Sequence, residues 1–176
     1  FYPPPSVLAA GIGEGVYKTR LPAWNLLLRG AMAGAYVGMG AALMMMVMTG
    51  VEPILGAGFT RLIGGSVFPL GVILTILTGA ELFTGDAMLV PMAAFRQKTA
   101  WGTVIRLWGL VWAGNVAGAL FFAALMAFGP LTSTDPSGVV SVTAAGMATV
   151  SIAAAKCSAA GTGALFSLLL GSLAAG

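Results

Sequence analysis

Three stretches of this chain carry no charged residue: Gly30 to Val51 (22 residues), Leu62 to Ala80 (19 residues) and Leu107 to Phe128 (22 residues). At about 1.5 Å rise per helical residue, each reaches roughly across the ~30 Å hydrocarbon core of a bilayer. Composition closes the other routes. The apolar residues AVILMFWYC make up 59% of the chain and charged residues only 7%, against about 25% charged in an average soluble domain. That excludes a water-soluble monomer, which needs charge to cover its surface. It also excludes a disordered chain, which goes with low hydrophobicity. The expectation is an all-α integral membrane protein, and 176 residues give room for about one domain.

Residues 1–29 read as an amphipathic N-terminal segment. Its Pro3-Pro4-Pro5-Ser6 run predicts a helix start with Ser6 as the N-cap. Glu52-Pro53 opens a predicted loop reaching Arg61, residues 129–138 a polar loop, and residues 139–155 a weakly apolar helix near the membrane surface. Cys157 to Gly176 reads as a fourth span cut short, and with Phe1 at the start the chain is expected to be a fragment. Lys18, Arg20, Arg29, Arg96, Lys98 and Arg106 fall on one side of the first two spans, Arg61 and Lys156 on the other. The excess of basic residues puts the N-terminus in the cytoplasm. The net charge of +3 is therefore an orientation signal, with no soluble surface on which to build a nucleic-acid footprint. Trp24, Trp101, Trp108 and Trp112 read as belt anchors near span ends. Histidine is absent and cysteine occurs once. The chain thus lacks the commonest general base and metal ligand, and no catalytic residue, metal or cofactor is expected.

The second apolar track does not end as an ordinary span does. It runs into Gly79-Ala80-Glu81-Leu82-Phe83-Thr84-Gly85-Asp86 and resumes as Ala87 to Phe95, too short to cross alone. Irregular backbone at membrane depth survives only where protein or a water-filled cavity satisfies it, and broken helices are recurrent ion and substrate sites. The restarted helix offers free N–H groups and a positive dipole end. With the Thr84 hydroxyl beside them, these favour a small anion. The alternative is an external loop followed by a surface helix. Glu81 and Asp86 are either functional intramembrane acids or helix caps. Lys156 either snorkels to an interface or draws in an anion. Gly30, Gly34 and Gly38, with Gly114 and Gly118, repeat every four residues and read as close-packing faces.

Ala31-Met32-Ala33-Gly34-Ala35-Tyr36-Val37-Gly38-Met39-Gly40 resembles the first spanning helix of formate/nitrite transporters. Gly79 through Asp86 resembles the signature loop of that family, and Gly114-Asn115-Val116-Ala117-Gly118 is similar to its third helix. The resemblance covers essentially the whole chain. It implies an aquaporin-like bundle with a broken second helix, six helices per protomer in two inverted halves, and a homopentamer with one pore per protomer. Residues 30–176 would then hold the first half of the channel domain, about three and a half spans, truncated within helix four. The implied cargo is a small monovalent anion, formate first and nitrite second, with hydrosulfide carried by some members, across the plasma membrane.

By the same resemblance Thr84 faces the anion path, and Leu82 is the loop's apolar gate. Phe68 is the outer constriction aromatic, and Val72 is one turn further in. Lys156 belongs to the outer vestibule. Ser172 falls where the family usually has Asn. Glu81, Phe83 and Gly85 belong to the loop. Asp86 replaces a usual Asn or His, and its charge opposes anion binding unless it is protonated or turned away. The family's central pore histidine lies on the fifth helix, outside these residues. A neutral-solute channel of aquaporin type would show paired Asn-Pro-Ala loops, and none occurs. A non-transport membrane subunit with haem or quinone would usually need histidine.

Overall fold

The computed structural model describes residues 3–134, 136–137 and 140–161. Seven helices and one hairpin follow in chain order among them. Helix α1 is Pro4–Thr19, α2 Ala23–Met48, α3 Glu52–Val67, α4 Pro69–Thr78, α5 Phe83–Phe95 and α6 Trp101–Ala127. Strands β1, Thr132–Thr134, and β2, Val140–Val142, pair antiparallel before α7, Ala144–Gly161. Among the described residues three helical stretches are long and apolar enough to span a membrane: Ala23–Met48, Glu52–Thr78 (α3 continued by α4) and Trp101–Ala127. This is an all-α membrane architecture.

Helix α2 is the centre of the bundle, with α6 on one side and α3 and α4 on another. The period-four glycines explain the α2–α6 seam. A Cβ on Gly34 would overlap the carbonyl of Asn115, and one on Gly118 would overlap the carbonyl of Ala31. The two backbones approach closely because neither residue has a side chain, as small-residue seams in membranes require. Beside this seam lies a core of Leu26, Val90, Ala94, Val104, Leu107 and Val111, with Leu21 and Trp108 packed against it. It joins α2, α5 and α6. Helix α1 lies along α5.

Several sequence expectations are corrected. Residues 52–61 are helical, not a loop. Glu52 in the first turn and Pro53 beside it suit a helix start, and only Gly56 (φ 77°) interrupts the run. Pro3, not Ser6, occupies the N-cap of α1, and the Ser6 hydroxyl donates to the Pro3 carbonyl. Residues 140–142 form a strand before α7 begins, so that the expected 139–155 helix starts only at Ala144. Trp108 is no belt anchor: its Nε1 donates to the Asp86 carbonyl at 3.3 Å, and its ring meets Phe83 edge-on at 6.1 Å.

Candidate functional site

The second span is broken by a helix stop that the sequence encodes directly. Gly79 adopts a left-handed conformation (φ 67°) at the end of α4, where a side chain would be strained. The Gly79 N–H donates to the Ile76 carbonyl and the Ala80 N–H to the Thr75 carbonyl, the paired bonds of a Schellman motif. Three residues then run on to α5, with Leu82 extended at its N-cap. Their backbone groups do not go unpaired. The Glu81 N–H donates to the Arg29 carbonyl at 3.3 Å. Asn115 of α6 reaches across and clamps both sides of the break: its Oδ1 accepts from the Phe83 N–H at 3.0 Å, and its Nδ2 donates to the carbonyls of Glu81 and Gly30, each at 2.9 Å. One amide side chain thus supplies two partners to loop backbone that has none in a bilayer and ties them to Gly30 of α2.

Under the break sits a buried charge cluster. Lys18 of α1 donates to the Glu81 carboxylate and lies 2.8 Å from Oδ1 of Asp86. Arg29 Nη1 is 3.6 Å from the other Glu81 oxygen and 3.4 Å from the Gly79 carbonyl. Glu81 and Asp86 are fully buried. Neither Asp86 oxygen meets hydrogen-bond geometry with any described group, so its tie to Lys18 is an ion pair by proximity alone. Burial works against the Lys18 ammonium, but the two carboxylates outweigh it and hold the lysine above its ordinary pKa range. Removing Lys18 from water is offset only because two opposite charges meet it there.

A cavity of about 390 Å³ opens beside the break, lined by Val72, Leu82, Thr84, Gly85, Lys18 and Arg29 among others. The structure therefore brings Val72, Leu82, Thr84, Gly85 and Glu81 to one space. Among the described residues no hydrogen bond uses the Thr84 hydroxyl or the N–H groups of Thr84 and Gly85. Asp86 does not line this cavity. It is turned toward α1, the arrangement under which an aspartate at this place need not repel an anion. Phe83 also points away, into the packing around Trp108. Phe68 is half-buried between α3 and α4 and is not part of the cavity lining. The side chain of Lys156 and the whole of Ser172 lie outside the described residues.

The model of one protein family, described as formate/nitrite transporter, matches residues 5–173. The chain belongs to the formate/nitrite transporter family. It is 38% identical over 138 residues to an uncharacterized transporter, YrhG, of Bacillus subtilis (strain 168), covering 78% of this chain and 51% of that protein. It is 32% identical over 121 residues to a probable formate transporter of Methanothermobacter thermautotrophicus, covering 68% and 44%. The formate channel FocA of Escherichia coli (strain K12) is 32% identical over 112 residues, covering 64% and 39%. A solved FNT family ion channel superposes with a TM-score of 0.65 at 28% identity, covering 74% of this chain and 53% of that one. The chain thus spans about half the length of the curated relatives it matches.

Two residues of this formate/nitrite transporter chain carry more of the site than their sequence signals suggested. Lys18 read as one of six orientation charges, and Asn115 as part of a glycine-spaced helix. Their partners are 63 and 34 residues away, beyond any local pattern. The available signal was polarity: an amide within a charge-free span needs a partner there, and the broken loop 79–86 was the segment in need of one.

Proposed function

We propose that this chain forms the first half of a channel or transporter for small monovalent anions, formate first, nitrite second and hydrosulfide next. The full protein would act as a homopentamer in the plasma membrane, with the N-terminus in the cytoplasm. The observation that carries this reading is the stop at Gly79 and restart at Phe83, which turns the unused Thr84 hydroxyl and helix-end N–H groups toward a cavity within a membrane bundle. Those groups donate hydrogen bonds and present the positive end of the α5 dipole. Arg29 and Lys18 line the same cavity together with Glu14 and Glu81, Glu81 being paired with Lys18, while Asp86 is not in the lining. Leu82 and Val72 supply an apolar constriction, with Phe68 forming a further aromatic ring on the path. Lys156 gathers anions in a vestibule on the far side. A bare charge crosses such a constriction at high cost, so passage as the neutral acid suits the chemistry.

The test is solute entry into proteoliposomes carrying the full-length protein, comparing formate, nitrite, hydrosulfide and glycerol. Rapid formate or nitrite entry that Thr84→Ala slows by roughly tenfold, the loss of one hydrogen bond to a charged group, supports the anion site. Glycerol entry without anion entry replaces the reading with a neutral-solute channel. No flux from a correctly assembled protein replaces it with a non-transport role.

A further inference from the structure

At the end of the bundle where α5 turns into α6, cations collect without acids to balance them. Arg96 and Lys98 sit on the α5–α6 turn, Arg106 on α6, and Arg20 on the α1–α2 turn. Arg20 precedes Leu21, which packs against the cluster containing Ala94 and Val104 and so lies at the same end. All four are exposed, and none forms an ion pair among the described residues. Of the acids among the described residues, Glu81 and Asp86 hold Lys18 inside the bundle, Glu52 opens α3 beyond the far end of α2, and Glu14 of α1 pairs with none of the four cations.

The turn that carries Arg96 and Lys98 is fixed, not slack. Gln97 adopts a left-handed conformation (φ 57°). Its N–H donates to the Ala94 carbonyl and the Lys98 N–H to the Ala93 carbonyl, each at 2.9 Å, a Schellman closure of α5. Phe95 and Trp101 then meet edge-on across the base of the turn, centroids 5.1 Å apart. Phe95 is 76% exposed and Trp101 46%. Arg96 and Lys98 thus sit on the turn between the exposed aromatic residues Phe95 and Trp101, with Arg106 about a turn and a half further along α6.

We propose that this basic–aromatic rim is a binding surface for the headgroups of anionic phospholipids in the leaflet on the N-terminal side. The cations meet the headgroup phosphodiester, and Phe95 and Trp101 lie against the glycerol and upper acyl region, where aromatic rings partition at a membrane interface. Clusters of four or more Lys and Arg beside a span attract anionic lipid, with an effect that salt screens. A nucleic acid or acidic peptide would match the cations but leave the adjoining aromatic surface uncovered, whereas a bilayer interface offers a partner to both.

The experiment uses the full-length protein in vesicles of equal phosphatidylglycerol and phosphatidylcholine, with bound lipid counted by native mass spectrometry after extraction. Preferential retention of phosphatidylglycerol is expected, reduced by about tenfold to a hundredfold when Arg96→Gln, Lys98→Gln and Arg106→Gln are combined. The charge-preserving set Arg96→Lys, Lys98→Arg and Arg106→Lys should retain it. Equal retention of the two lipids by the native protein overturns the proposal, as does undiminished retention in the glutamine variant. Should the glutamine variant fail to assemble, the native protein decides alone: retention must fall between low and high salt. Displacement of the lipid by millimolar glycerol phosphate in solution would mark a free-phosphate site and overturn the assignment to lipid.

Discussion

The α2–α6 seam and the α1–α5 seam both use close-packed glycine, but only the second adds buried charge. Between α2 and α6 the contact is backbone against backbone, at glycines that leave no room for a side chain. Its strength is a matter of shape and dispersion, since lipid tails offer no hydrophobic incentive for helices to associate. Between α1 and α5, Gly15 packs on the Leu89 carbonyl, and beside it Lys18 is buried between Asp86 of α5 and Glu81 of the loop that precedes it. The strength of that charged contact depends on compensation, since each ion alone would be costly to bury. The glycine seam sets where α2 and α6 stand. The charged seam fixes the loop between α4 and α5 to a helix outside the spans, coupling the broken segment to the N-terminal arm. Asn115 belongs to both, its carbonyl in the glycine contact and its side chain on the broken loop.

The largest effect should come from breaking the charged seam at its cation. Lys18→Met leaves two carboxylates buried with only the more distant Arg29 near one of them. A loss of roughly 3–5 kcal/mol is expected, read as reduced thermal stability of the full-length protein in lipid nanodiscs. Adding Glu81→Gln and Asp86→Asn to Lys18→Met should restore most of it. Failure of that rescue would show that the lysine contributes packing instead of compensation.

Next comes Asn115→Ala, which strikes where the two seams meet. It leaves the Phe83 N–H and the Glu81 and Gly30 carbonyls without their side-chain partner. A buried unsatisfied group costs roughly 1–3 kcal/mol, so a loss of about 3 kcal/mol is expected in the same unfolding measurement. Anion flux should fall with it, since the break itself would no longer be held. Flux unchanged at reduced stability would separate the clamp from the pathway.

The glycine seam should yield less to its mildest perturbation. Gly118→Ala places a methyl group on the Ala31 carbonyl, and overpacking of this kind costs about 1–3 kcal/mol. Gly109→Ala on the same helix meets nothing within 4 Å and serves as the control, with stability held or raised because alanine favours helix over glycine. Equal behaviour of the two variants would mean that the seam relaxes freely, and that shape does not set the α2–α6 distance.

The two seams also differ in how far the sequence exposes them. The glycine seam is legible because its period, four residues on each helix, is a local property of the chain. So are the three spans, which follow from charge-free runs. The break is legible from Gly79 and the short apolar segment after it, since one residue with a positive φ suffices to stop a helix. The charged seam is hidden. Lys18 reads as a cytoplasmic charge like Arg20 two residues on, and only folding distinguishes the buried one from the exposed one. Residues 52–61 mislead for a related reason: Glu, Pro and two glycines read as a loop, although Glu and Pro are also what a helix N-terminus prefers.

The smallest expected effect sharpens the account of the charged seam. Asp86→Asn keeps the side-chain shape and removes one of the two negative charges facing Lys18. Neither Asp86 oxygen accepts a hydrogen bond among the described residues, so no such bond is lost. Lys18 keeps its bond to Glu81, and the repulsion between two adjacent buried carboxylates disappears. These changes oppose one another, and stability should move by no more than about 1 kcal/mol, a typical net hydrogen-bond value. A loss of 3 kcal/mol or more, the range expected for a broken buried pair, would mean that Lys18 requires both carboxylates. The seam would then be a three-body cluster. A near-neutral result would leave Glu81 as the partner that compensates Lys18 and Asp86 as an acid whose charge the fold tolerates because it faces α1 and not the cavity.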